Sequence, residues 1–238
     1  MLTITLWKYS APQYPWISEN MGLLRRDFLI QDLMDAVEES DIEGVVTVQA
    51  RQALAETRWL LDLARTHDLI RAVVGWVALT GPKVDRDLEH FSTHAKLKSV
   101  RHVLHDEPDD LYILREDFNS GIKLLKDFDL HYDLLIFERH LPQTIQFVDR
   151  HPNQIFILDH IAKPRIREGM TSPWRENLTE LARRENVFCK LSAWSRKQVG
   201  SPGQKRISIP TCKCSDSLRS KESHVWVGLA GPAARQLL

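Results

Sequence analysis

"GVVTVQA" runs from Gly44 to Ala50. It is short, apolar and rich in β-branched residues, so it reads as a buried strand. "IRAVVGWVAL" (Ile70 to Leu79) has the same character. Further along come "LKSVRHVL" (Leu97 to Leu104), "HYDLLIF" (His131 to Phe137), "QIFILDH" (Gln154 to His160) and "VFCKLS" (Val187 to Ser192). "LTIT" at the start supplies one more candidate strand.

Helical patterns lie between these runs. "DFLIQDLMDAVEES" sets Phe28, Leu33, Ala36 and Val37 on one face, with Asp27 as a candidate N-cap. "ALAETRWLLDLARTHD" does the same with Leu54, Leu60, Leu61 and Ala64. "DFNSGIKLLKDF" aligns Phe118, Ile122, Leu125 and Phe128. "LPQTIQFVDRHP" carries Leu141, Ile145 and Val148 and stops at Pro152. "SPWRENLTELARRE" offers Ser172 as a cap and Pro173 at the first helical position.

Alternating strands and helices predict an α/β fold with a parallel sheet covered on its faces. No Gly-rich phosphate loop follows the first strand, which disfavours an open dinucleotide-binding sheet. About seven strands in single file predict an incomplete (β/α)8 barrel of the TIM type. The expected domain spans residues 1–192. After Ser192 the chain turns to Ser, Lys, Arg and Gly without an apolar period, so 193–238 is expected to form an irregular tail.

Composition narrows the function classes. The chain has 238 residues, 43% of them hydrophobic, enough for one domain with a substantial core. Thirty-two basic residues balance 32 acidic ones, which gives no electrostatic footprint for nucleic acid. No apolar run is long enough to cross a bilayer, and no signal peptide opens the sequence. Three cysteines make no disulfide framework, and the expected location is the cytoplasm. Cys212 and Cys214 form a CxC pair, but no second pair has zinc-site spacing.

In a barrel the C-terminal ends of the strands build the active site. Gln49 and Arg51 close the second strand and share a face. Trp76 lies within the third. Arg101, His102, His105 and Asp106 lie in or after the fourth. Asp133 interrupts the fifth. Asp159 and His160 end the sixth, Lys163 lies just beyond, and Lys190 lies in the seventh. Arg101 and His102 are adjacent, so in a strand they face opposite sides. Each residue also has a bland reading: His160 as an ordinary half-exposed histidine, Asp106 and Asp159 as caps or partners of an arginine, Lys163 and Lys190 as solvated side chains.

These stretches resemble a known family. "YPWI", "LRRDF", "VQARQALAETRWLLDLA", "VVGWVAL", "VRHVLHDEPD", "FDLHYDLLI", "LPQTIQFVDRHPNQIFILDHIAKP" and "NVFCKLS" are similar, in that order, to the amidohydrolase-related (amidohydrolase 2) family. More narrowly they resemble its lactonase branch, the enzymes similar to fuconolactonase and rhamnonolactonase. The likeness runs from about Trp7 to Ser192. It implies a (β/α)8 barrel and hydrolysis of a sugar-acid lactone, with a divalent metal such as zinc in intact relatives. It matches His160 to the family's "LDH" histidine, the catalytic and metal-binding candidate, and Arg101 and His102 to its "VRH" stretch. Together with the strand-end residues Gln49, Arg51 and Lys163, Arg101 and His102 make up the substrate-binding candidates.

The resemblance also implies a His-x-His at the end of the first strand and a Gly-Ser-Asp-Trp-Pro on an eighth. Neither string occurs in this sequence. The chain as written is therefore expected to be impaired and to retain no metal. The alternative reading is a non-catalytic pseudoenzyme that still binds a sugar acid or a partner. Codons can be written for the residues from Ser223 that, read one base on, spell Ala-Met-Phe-Gly-Ser-Asp-Trp-Pro-Val. Codons for the residues from Ala193, read two bases on, give an amphipathic continuation of "CKLS", and the first codons, preceded by a G, give Asp-Ala-His-His-His. The tail thus reads as family sequence translated in shifted frames.

Overall fold

The structure, a computed structural model, describes residues 2–165 and 168–190. Seven parallel strands form one sheet in sequence order. They are β1 (Leu2–Ile4), β2 (Val45–Val48), β3 (Ile70–Gly75), β4 (Leu97–His102), β5 (His131–Leu134), β6 (Phe156–Leu158) and β7 (Val187–Cys189). The connecting helices are α1 (Ile30–Val37), α2 (Leu54–Thr66), α3 (Val84–Ser92), α4 (Glu116–Leu125), α5 (Leu141–Asp149) and α6 (Trp174–Leu181).

The sheet is curled, and its packing shows this directly. Val46 and Val48 of β2, Ala72 and Val74 of β3, and Ile157 of β6 form one buried cluster. In a flat sheet β2 and β6 would lie about 19 Å apart, four spacings of roughly 4.8 Å. Contact between them requires the sheet to bend into a half-barrel whose concave side holds this cluster. The other faces of the strands pack against the helices in the main core, which includes Val45, Val73, Val100, Leu134, Leu158, Leu60, Leu61, Leu88, Phe118, Ile122, Phe147 and Leu178. Gly121 lets α4 approach that layer: a Cβ there would stand 2.1 Å from the Leu79 carbonyl oxygen.

The helices follow the apolar spacings, with differences at their starts. Asp27 does not cap α1. Its carboxylate accepts the Tyr9 N–H at 2.7 Å, while Asp32 reaches back to the Leu29 N–H at 2.7 Å. Pro173 is the N-cap of α6 rather than its first helical residue, and Ser172 makes no side-chain cap. Helix α3 is an addition to the pattern read above, although Val84, Leu88 and Phe91 recur at helical spacing within it.

No helix among the described residues is long and apolar enough to cross a membrane. Leu191, Ser192 and the tail of 193–238, with Cys212 and Cys214, lie outside the described residues.

Candidate active site

The concave side changes character at β4. Ser99 and Arg101 of β4, Asp133 of β5, and Asp159 and Lys190 just after β6 and β7 make a connected polar network, and all but Arg101 are essentially buried. Lys190 Nζ contacts the Asp133 carboxylate and stands 2.8 Å from Asp159 Oδ1. Ser99 Oγ donates to Asp133 Oδ1 at 2.6 Å. Arg101 donates to Asp159 Oδ2 at 2.8 Å and, through its other terminal nitrogen, to the Gln49 carbonyl. Gln49 Nε2 donates back to the Arg101 carbonyl at 3.2 Å. β2 and β4 are thus linked at their ends across β3.

Charges removed from water must be paired. Here two cations, Lys190 and Arg101, face two carboxylates, Asp133 and Asp159. Burial works against the charge on Asp159, but Lys190 and Arg101 outweigh it and hold the carboxyl well below its usual range. Burial likewise opposes the charge on Lys190, and Asp133 and Asp159 overcome it, so the ammonium is held more firmly protonated than usual. Burial pushes Asp133 upward, with the Asp159 charge adding to it and Lys190 opposing.

His160 sits on an unusual piece of backbone. His160, Ile161, Ala162 and Lys163 all have positive φ, at 52°, 50°, 58° and 47°. For residues with a Cβ this left-handed turn costs on the order of 1–2 kcal/mol each. It is tied down in three ways. The Lys163 N–H bonds to the His160 carbonyl at 2.9 Å. Trp174 Nε1 donates to the Ile161 carbonyl at 2.9 Å. Ile161 and Ala162 are buried. Burial, then the cations Arg101, Lys163 and Lys190, lower the His160 pKa to about 4 against the pull of Asp159, so its imidazole is neutral at pH 7.

The other residues singled out from the sequence go to several places. Lys163 lies within 3.5 Å of both His105 ring nitrogens and over the Phe137 ring, 5.2 Å from its centroid. His105, desolvated and next to Lys163, is lowered to about 4. Arg51 turns toward the β1–α1 segment: it stands 3.9 Å from Glu56 and lies over the Tyr14 ring at 5.7 Å. Gln49 and Arg51 therefore have different partners. His102, as the alternation requires, points away from Arg101 into the helix layer. It stacks on Tyr112 at 5.2 Å and pairs with Glu107 at 2.6 Å, and Trp76 Nε1 donates to its Nδ1 at 3.5 Å. Burial lowers its pKa.

Lys190 and Asp133 carry more of this site than their sequence context suggests. Lys190 is 1% exposed, not solvated. The available signal was a charge embedded in an apolar strand run, since buried charges demand partners.

A catalytic metal needs about three converging protein donors. Among the described residues no group of three or more His, Cys, Asp or Glu is placed to hold one. Both oxygens of Asp159 face cations, and Asp133 is taken up by Lys190 and Ser99. The described residues do not fit a metal centre.

Comparison with known proteins gives the site its context. The L-fucono-1,5-lactonase of Burkholderia multivorans is 39% identical over 193 residues, covering 78% of this chain and 64% of that protein. The L-fucono-1,5-lactonase of Burkholderia ambifaria is 33% identical over 186 residues, with the same shares. The chain thus spans less than two thirds of the length of these relatives. A crystal structure of a Burkholderia multivorans amidohydrolase with bound zinc matches with a TM-score of 0.81 at 31% identity, covering 98% of this chain and 84% of that one. The sequence profile of the amidohydrolase family matches residues 3–216, from within β1 to beyond β7, and the chain belongs to that family.

Proposed function

We propose that this chain is built to open the ring ester of a sugar-acid lactone. The observation that carries the reading is the joint placement of Arg101, Gln49, Asp159 and Lys190 at the C-terminal ends of the strands, in a chain similar to two L-fucono-1,5-lactonases. Ester hydrolysis needs a proton acceptor for the attacking water and donors for the charge that develops on the carbonyl oxygen. The neutral His160 imidazole suits the first task at pH 7. Arg101 and Lys163 supply positive donors for the second, and Gln49 and Arg51 are assigned to orient ligand hydroxyls. His102, seated among Tyr112, Glu107 and Trp76, acts on the ligand only indirectly. The zinc bound in the related amidohydrolase would, in a fuller site, polarise the carbonyl and activate water.

A second reading has its own support. The carboxylates of the described network are already committed to Lys190 and Arg101, which favours a chain that binds a sugar acid without turning the lactone over. The two readings separate in one assay. Purified protein is offered L-fucono-1,5-lactone and other aldonolactones, with and without added zinc. Turnover that His160→Ala abolishes supports the hydrolase; saturable binding of the aldonate without turnover supports the second reading. For residues 193–238 we propose translation in a shifted frame. Sequencing the coding DNA tests this, and codons that yield no Gly-Ser-Asp-Trp-Pro in another frame refute it.

A further inference from the structure

Lys190 is the most deeply buried cation at the concave end, and the proposed ester chemistry gives it no task. Its ammonium touches the Asp133 carboxylate and lies 2.8 Å from Asp159 Oδ1. The opposite oxygen of Asp159 takes the Arg101 guanidinium at 2.8 Å. Arg101 in turn donates to the Gln49 carbonyl, and the Gln49 amide donates to the Arg101 carbonyl. One chain of contacts therefore runs from β7 through β6 and β4 to the end of β2.

A carboxylate held by one cation keeps rotational freedom about its side-chain bonds. A second cation on its other oxygen fixes the carboxylate plane, and with it the approach of the first. We propose that Lys190 is a positioning residue: by gripping Asp159 from the β7 side, it holds Arg101 and Gln49 in the arrangement that receives a polyhydroxylated acid. The ligand part of this proposal rests on the reading of Arg101 and Gln49 as ligand-binding groups. The balance of charge supports the role. With two cations and two anions the network is internally neutral, so Lys190 is spent on its protein partners rather than offered to an anion.

The replacement that isolates the role is Lys190→Met combined with Asp133→Asn. Together they remove one cation and one anion, keep the net charge, and leave the Arg101–Asp159 pair intact. Two measurements read the result. The first is solvent exchange of the Arg101 Nε proton by NMR, since that nitrogen is buried in the native chain. The second is the affinity for sodium L-fuconate. Slow Arg101 exchange in the native protein should become fast in the double variant. Affinity should fall about tenfold or more, the worth of one charge-assisted hydrogen bond lost to misalignment. Unchanged exchange overturns the proposal, whatever the affinity does. If the native protein binds no L-fuconate, the ligand reading fails, and the exchange comparison alone decides the positioning role. Should the double variant not fold, Lys190→Arg is measured in the same way, because it keeps the charge at a different length. Faster Arg101 exchange there supports the role, and native exchange overturns it.

Discussion

The concave side of the half-barrel has two unlike halves. On β2 and β3 it is lined by Val46, Val48, Ala72 and Val74, an apolar wall that Ile157 of β6 meets from across the curl. From β4 to β7 it carries Ser99, Arg101, Asp133, Asp159 and Lys190, an ion network. The same curl shapes both, but they are stabilised differently. The apolar half gains from removing surface from water, a term that grows with area and depends little on geometry. The charged half gains only if every group keeps its partner, because each unpaired ion costs several kcal/mol. One half can therefore absorb change, and the other responds to single atoms.

The largest expected effect breaks the charged half. Lys190→Met alone leaves Asp159 with Arg101 but strips Asp133 of its cation, with the Ser99 hydroxyl as its remaining side-chain partner, and we expect a loss of about 3–5 kcal/mol, measured by urea unfolding. A loss under about 1 kcal/mol would mean that the network is solvated. Truncating the apolar half at Val74→Ala should cost less, about 2 kcal/mol, through lost burial and a small cavity. A cost equal to that of Lys190→Met would erase the contrast.

Packing on the convex side offers a third comparison. Gly121→Ala pushes a methyl against the Leu79 carbonyl and should cost about 1–3 kcal/mol by forcing α4 outward. Thermal melting is the readout, and a neutral result would show that α4 moves freely.

Acid should sharpen the difference further. His105 and His151 are each lowered to about 4, with burial as the first cause. Their unfolded forms take up protons near the ordinary histidine value of about 6.5, so the unfolded chain binds more protons between these values. Stability contributed by the neutral histidines is full above about 6.5 and drains away as the pH falls toward 4. Urea midpoints should decline over that window, and in His151→Asn the decline should be shallower. The smallest effect lies in the turn after β6. Ala162→Gly relieves a positive φ and should leave stability unchanged or raise it by about 1 kcal/mol. A loss above that size would argue that residue 162 is not left-handed.

The fold was legible because buried parallel strands write themselves as apolar runs. "GVVTVQA" and "QIFILDH" needed no partner to be recognised, and their contacts form as the runs imply. Helix α3 was harder to see, since Val84, Leu88 and Phe91 stand among five charged neighbours in "KVDRDLEHF". The site was legible in part. Alternation alone sent Arg101 and His102 to opposite sides, and the structure places them so. That Gln49 would bond Arg101 while Arg51 turns to Glu56 depends on the curl that brings β2 beside β4's end, and no local pattern records it. Lys190 looked like a surface residue because its two carboxylates lie 57 and 31 positions away in the chain.

The left-handed segment from His160 to Lys163 limits how this protein can be altered. A residue inserted or deleted there would rotate His160 and Lys163 away from their present directions together, since each is aimed by the same short coil. Attempts to shift ligand preference by changing loop length should therefore leave these four positions alone. Diversity is better introduced in neighbouring segments, where the backbone follows the common hand and tolerates a change of register.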